Sequence, residues 1–281
     1  MPIRSPVVAG AFYPSNISEL NSCIEKFFSK VKVKQKNVIA AVVPHAGYIY
    51  CGKSAASVYK TIKNNFDCVV ILGPNHSGFG RIATSSGSWA TPLGLVETDE
   101  QFVKEIIKDS LITNDPLAHA QEHSIEVQLP WLQYRFKNFK FVPICINPNY
   151  FDIESCAEIG RKIASTAKKL NKKVLIIASS DFTHYGAGYG YVPFSGSAEQ
   201  VLKKIKELDM QAADCICKLA PDKLIELCKT RTVCGYGAIA AALYAAKALG
   251  AESGEILDYS TSFELSKDQG AIVGYCGIAI F

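Results

Sequence analysis

At 281 residues the chain is long enough to bury a sizeable core, and 48% apolar against 20% charged residues is the balance of a globular protein, not a disordered one. A net charge of +4 without a lysine/arginine stripe gives no ground for a nucleic-acid partner, and no apolar stretch is long enough to cross a bilayer. The first residues, Met1-Pro2-Ile3-Arg4, lack the apolar core of a signal peptide, so the ten cysteines are expected as reduced thiols of a cytoplasmic protein.

In chain order, Leu20, Ile24, Phe27 and Phe28 recur at helical spacing over residues 18–30, with Ser18 as the expected N-cap. The apolar run 38–43 reads as a buried strand. Residues 52–64 place Ala55, Val58, Tyr59 and Ile62 on one helical face, and 67–72 is a second strand, completing a right-handed βαβ unit. Gly87, Trp89, Pro92 and Gly94 break residues 81–98 into short β-like pieces, expected as a hairpin excursion. Thr98-Asp99-Glu100-Gln101 has the form of a capping box ahead of a helix through Phe102, Ile106 and Ile107. Pro130 should kink or restart a helix within 124–136. A strand over 139–146, a helix over 153–170 and a strand over 173–178 follow. Residues 186–196 set Tyr189 and Tyr191 among glycines, as a loop able to serve as a lid. Ser197-Ala198-Glu199-Gln200 opens the next helix, short helices run through Asp214 and 221–229, and 237–249 is an alanine-rich buried helix stopped by Gly250. Residues 256–263 and 271–281 close the chain as strands. Nothing resembles a linker, so residues 1–281 are expected to form one domain, a three-layer α/β/α fold around a mixed, largely parallel sheet.

Three of the expected strands run into a histidine. The first reaches Pro44-His45-Ala46-Gly47, the second Gly73-Pro74-Asn75-His76, and the third Ser179-Ser180-Asp181-Phe182-Thr183-His184, in a chain with five histidines. In open α/β sheets ligands bind beyond the carboxyl ends of the strands, so the pattern points to a metal site there. If the first two strands are neighbours, His45 and His76 start about 5 Å apart at the backbone, within reach of one ion. Asn75 either orients a ligand or caps its turn. Asp181 beside His184 suits a general base with its orienting carboxylate, the plain alternative being a turn cap.

Two further motifs compete for a role. His119-Ala120-Gln121-Glu122-His123 matches the H-x-x-E-H pattern of zinc peptidases, which needs both histidines on one helix. Gly235-Tyr236-Gly237-Ala238-Ile239-Ala240 has the form of a dinucleotide loop, but no buried strand precedes it, so the better reading is Cys234 at a helix start, where the dipole would lower the thiol pKa.

Taken together, Pro44-His45-Ala46-Gly47-Tyr48, Gly73-Pro74-Asn75-His76, Glu122-His123-Ser124-Ile125-Glu126, Ser180-Asp181-Phe182-Thr183-His184-Tyr185-Gly186 and Cys234-Gly235 resemble the Memo family. The match runs from Ser5-Pro6-Val7 to the last strand. The resemblance implies a fold like that of the class III, LigB-type extradiol dioxygenases. It puts His45, His76 and Cys234 on the family's metal-ligand positions and Asp181 and His184 on further pocket residues. Where the ring-cleaving relatives use two histidines and a carboxylate for Fe(II), a thiolate shifts preference toward copper, zinc or a differently tuned iron. The expected function is thus metal-dependent redox chemistry on a small, aromatic-type molecule. His184 would move the proton, His123 and His119 would line the pocket, and Tyr48, Tyr185 and Tyr236 would form its wall. The alternatives are a non-catalytic module binding phosphotyrosine peptides or anions, and the zinc peptidase. Prokaryotic members are associated with AMMECR-type and radical-SAM proteins, which are the partners the resemblance implies.

Overall fold

The central strands are nearly continuous apolar runs because both of their faces are covered. The computed structural model describes residues 3–281. Its strands, in chain order, are β1 (Ile3–Arg4), β2 (Ala40–Val43), β3 (Cys68–Pro74), β4 (Ile82–Thr84), β5 (Ser88–Thr91), β6 (Gly94–Glu97), β7 (Thr113–Asn114), β8 (Lys140–Ile146), β9 (Val174–Ser179), β10 (His184–Tyr185), β11 (Gly254–Thr261) and β12 (Ile272–Ile280). The helices are α1 (Ile17–Lys30), α2 (Tyr48–Thr61), α3 (Glu100–Ile106), α4 (Leu117–Ala120), α5 (Leu129–Phe136), α6 (Ile153–Lys169), α7 (Ala198–Cys217), α8 (Pro221–Cys228), α9 (Tyr236–Ala248) and α10 (Phe263–Ser266). The fold is α/β, as expected.

The main sheet runs in the order β10-β12-β2-β9-β3-β8-β4-β7, with β11 paired to β12. Strands β2, β9, β3 and β8 are parallel, while β12 and β4 join antiparallel on either side of them. Alternation along each strand sorts the side chains onto two cores. Val42, Val70, Leu72, Ile144 and Ile176 face α3, α6, α8 and α9, whereas Ala41, Val43, Val69, Ile71 and Ile177 face α1, α2 and α5. The hairpin excursion is real: β5 and β6 pair antiparallel and β1 adds to them as a small separate sheet, but β4 leaves the hairpin to join the main sheet.

Two local expectations change. Asn16, not Ser18, caps α1 by accepting from the Ser18 and Glu19 amides, and Asp99, not Thr98, caps α3 by accepting from the Phe102 amide. At α3 the Thr98 hydroxyl is already engaged with the Gly87 carbonyl, which leaves the cap to Asp99. The larger change is in strand order. The βαβ unit through α2 exists, but β9 lies between β2 and β3. His45 and His76 therefore leave strands two spacings apart, about 10 Å, and not neighbouring ones.

One buried carboxyl anchors the loop between β9 and β10. Asp209, on α7, is fully buried and accepts from the Thr183 amide and hydroxyl (3.0 and 2.6 Å) and from the Tyr259 hydroxyl (2.8 Å). A β-carbon at Gly274 would collide with this carboxylate, so glycine is required where β12 passes it. Burial, only partly offset by the Thr183 and Tyr259 bonds, raises the Asp209 pKa to about 6. A raised acid binds its proton more tightly folded than unfolded, so its contribution to stability is present below about pH 4 and is lost as pH rises through about 6. At roughly 1.4 kcal/mol per unit this amounts to about 3 kcal/mol. Asp209→Asn keeps an acceptor for Thr183 without the ionisation. Urea midpoints at pH 4, 5, 6 and 7 should therefore vary less in the variant than in the native chain, and parallel curves would refute the assignment.

Candidate metal centre

His45 emerges where β2 ends at Pro44, and its surroundings fix the tautomer of its ring. The His45 amide donates to Asp181 Oδ1 (2.8 Å), and ring Nδ1 lies 3.0 Å from Ser179 Oγ. The Ser179 hydroxyl donates its only proton to the Ser124 carbonyl (2.6 Å) and accepts from Gln128 Nε2 (2.8 Å). Gln128 cannot be turned the other way, because its Oε1 accepts from the Tyr59 hydroxyl (2.8 Å) and its Nε2 also donates to the Pro44 carbonyl (3.0 Å). Ser179 Oγ is thus only able to accept from His45, which places the proton on Nδ1 and leaves Nε2 bare. Burial first, and then the neighbouring His76 and His123, hold the His45 pKa well below its ordinary value. A buried, neutral imidazole with a bare Nε2 is the form that ligates a metal.

His76 follows β3 and is held by Glu122. One carboxylate oxygen of Glu122 accepts the His76 amide, and the other, Oε1, accepts His76 Nδ1 (3.0 Å), the His123 amide (2.8 Å) and the Ser124 amide (2.7 Å). Burial alone would lower the His76 pKa, but the Glu122 bond and charge outweigh it and raise the value. For Glu122 burial pushes upward, and the His76 bond, the His76 and His123 charges and the Ser124 amide together overcome it, holding the carboxyl well below its usual range. An ionised carboxylate behind an imidazole is the arrangement that orients metal-binding histidines, again with Nε2 turned outward.

His123 comes from the irregular stretch between α4 and the 3₁₀ turn Glu126–Gln128. Its ring stacks on His76 at 4.9 Å and meets His45 edge-on at 5.5 Å, and the His45 and His76 centroids are 5.2 Å apart. One ring nitrogen of each of His45, His76 and His123 lies within 4.8 Å of the others, which is the spacing three imidazoles need to share one ion. The residues present therefore fit a mononuclear transition metal. The side chains close the two-strand gap that β9 imposes, because all three histidines lie beyond the strand ends, where β9 no longer separates them.

Cys234 lies just ahead of α9, its Sγ 3.3 Å from His45 Nε2 and 3.6 Å from the Asp181 carbonyl. Gly235 makes this approach feasible. Its amide donates to Ser180 Oγ (2.9 Å), and a β-carbon there would sit 2.6 Å from both the Ser179 carbonyl and Ser180 Cβ. The thiol flanks the three imidazoles from the His45 side. Its pKa moves opposite to the direction expected from a helix start: burial and then the Asp181 charge raise it. A half-buried thiol next to a carboxylate stays protonated until a cation joins it.

The other sequence candidates lie elsewhere or act differently. His184 is not oriented by Asp181. Its Nδ1 lies 3.0 Å from both the Phe182 and the Thr232 carbonyls, which fixes the proton there, while Asp181 is engaged with the His45 amide. His119 does not line the site: its ring faces Trp89 at 5.5 Å, and Nε2 donates to the Ala83 carbonyl (3.1 Å). Helix α4 stops at Ala120, so His119 and His123 do not share a helix face, and the zinc-peptidase geometry is not formed. Asn75 caps its turn, accepting from Ser77 Oγ and the Gly78 amide. Tyr48 is buried against Trp131 with its hydroxyl on the Val127 carbonyl, Tyr185 stacks on Phe194, and Tyr236 packs on Phe151. The aromatic ring that does meet the cluster is Phe12, 4.9 Å from His123. Glu122 and His123 were legible as a motif, but their place in the cluster was not. Gln128, Ser179 and Phe12 gave no signal of their own.

An α/β sheet with three imidazoles converging beyond its strand ends defines a candidate metalloprotein. The family model described as "Memo-like protein" matches residues 4–279, and the chain belongs to that family. It is 40% identical over 282 residues to a MEMO1 family protein of Methanosarcina barkeri, covering 99% of this chain and 100% of that one. A MEMO1 family protein of Thermococcus kodakarensis is 41% identical over 289 residues, covering 98% of each. Among solved structures, an uncharacterized Escherichia coli K12 protein overlaps 86% of this chain and 99% of its own, at 12% identity and a TM-score of 0.47, too loose to carry an argument.

Because Glu122 orients His76 and anchors the backbone of His123, Glu122→Gln should weaken metal binding by about ten- to a hundredfold, read by competition with a chromophoric chelator. Unchanged affinity in a folded variant would show that the carboxylate is only structural.

Proposed function

We propose that this chain is a metal-dependent redox protein acting on a small molecule, aromatic ones included, with His45, His76 and His123 as imidazole donors and Cys234 as the thiolate donor. The observation that supports this most directly is the pair of locked tautomers: the hydrogen-bond networks ending at Gln128 and Glu122 leave His45 Nε2 and His76 Nε2 without a proton, in a cluster where one ring nitrogen of each histidine lies within 4.8 Å of the others. Three neutral imidazoles with one soft thiolate suit iron, copper or zinc, copper(I) being favoured by the sulfur. When bound, such a metal supplies Lewis acidity and, for iron or copper, one-electron chemistry.

The chain's own groups then have distinct tasks. His184, with Nδ1 committed to the Phe182 and Thr232 carbonyls, presents Nε2 as an acceptor able to take a proton from a bound molecule. Asp181 fixes the His45 backbone, and its burial raises the carboxyl pKa against the opposing pull of His184 and of the His45 amide. Phe12 offers an aromatic edge beside His123, and Tyr189 one beside His184 at 5.1 Å, apolar contacts that a flat ligand could use.

A second reading, a binding module that keeps the pocket without catalysis, is favoured by one feature. The segments carrying the histidines also present large exposed apolar side chains, Ile49, Phe79, Leu117, Tyr189 and Val192. A pulldown on immobilised phosphotyrosine peptides with and without chelator separates the two.

Anaerobic reconstitution with Fe(II), Cu(I) and Zn(II) should give one equivalent of metal in the native chain. His45→Ala should lose most of it, and Cys234→Ser should retain zinc better than copper(I). Equal loading of all three proteins would overturn the assignment.

A further inference from the structure

The first segment of the chain crosses the loop that carries Glu122 and His123. Arg4 lies 4.1 Å over the Trp89 ring and, besides a long local bond to the Ser5 carbonyl (3.4 Å), spreads its guanidinium over three distant acceptors. Nε donates to the His119 carbonyl (2.8 Å), Nη2 to the Glu122 carbonyl (2.5 Å) and Nη1 to Glu126 Oε2 (2.7 Å). Glu126 is fully buried and accepts in addition from the Val7 amide (2.8 Å), the Val8 amide (3.1 Å) and the Tyr13 hydroxyl (2.7 Å). A third tie reaches the other histidine loop, where the Tyr48 amide donates to the Phe12 carbonyl (2.8 Å).

Residues 121–125 lie between α4 and the following 3₁₀ turn and belong to no helix or strand. A few backbone bonds tie the stretch to its neighbours (Glu122 amide to the His119 carbonyl, 3.3 Å; Val127 amide to the His123 carbonyl, 3.1 Å), and side chains supply the rest of its anchoring. The carbonyls at 119 and 122 bracket the Glu122 side chain and precede His123, and a single guanidinium holds both. We propose that Arg4 is a positioning residue of the metal centre. By clamping residues 119–126 from outside, it sets where the Glu122 carboxylate and the His123 ring stand, and the same segment delivers Phe12 against that ring. The proposal rests on the reading that His45, His76 and His123 hold a metal.

Arg4→Lys is the discriminating variant. Lysine retains one cation for Glu126 but lacks the planar fork that reaches three acceptors at once. With Co(II) as the probe, the native chain should show a visible ligand-field spectrum. Arg4→Lys should bind Co(II) about tenfold more weakly with a shifted spectrum, while the metal-free melting temperature changes little. The charge-neutral pair Arg4→Gln with Glu126→Gln leaves no unpaired buried charge and should show the same shift, so a failure of the lysine variant to fold does not end the test. A native chain that takes up no Co(II) would remove the metal reading itself. A native chain that binds, alongside a folded Arg4 variant with the same affinity and spectrum, would overturn the positioning role alone.

Discussion

The ionised, buried carboxylate of Glu122 is the interaction on which the candidate site depends. It is 1% exposed, and it engages the amides of His76, His123 and Ser124 together with the His76 ring. A buried charge costs several kcal/mol to desolvate unless donors surround it. Four N–H groups on one carboxylate supply that compensation, and in doing so they draw the loop after β3 and the loop after α4 onto a common point. Two chain segments 46 residues apart are thus positioned by one group.

Electrostatics at the centre favours neutral rings over charged ones. Three imidazoles whose centroids are about 5 Å apart cannot all carry protons without strong mutual repulsion. His45, deepest of the three and without a carboxylate on its ring, remains neutral, and burial likewise lowers His123. His76 alone has a carboxylate bonded to its ring nitrogen, and its pKa moves up. A cation placed between the bare nitrogens would satisfy the same field that disfavours extra protons, and it would make the Cys234 thiolate accessible as well. Arg4 and Glu126 continue this logic outward, pairing with each other while backbone groups, the Tyr13 hydroxyl and the Trp89 ring take up their remaining contacts.

How much of the architecture was legible depends on the range of the pattern involved. Period-two and period-3.6 spacing revealed β2, β3, β8, β9, α1, α6 and α9 to within a few residues, because burying a strand on two faces or a helix on one forces the local composition. Capping was less legible. Asn16 caps α1 in place of Ser18, and Asp99 displaced Thr98 because the bond of Thr98 to Gly87, invisible in the sequence, left Asp99 free to cap.

By itself, the sequence determined the α/β class, the histidines at strand ends and the likeness to one family, since these depend on residues close together in the chain. Only the tertiary structure decided that β9 divides β2 from β3 and that His123 joins His45 and His76 while His119 turns toward Ala83. It also decided that Tyr48 and Tyr185 spend their hydroxyls on the backbone carbonyls of Val127 and Phe194. The physical reason is common to all of these. Convergence of positions 45, 76, 123 and 234 comes from strand order and from buried donors seeking acceptors, and neither leaves a periodic trace in the local sequence.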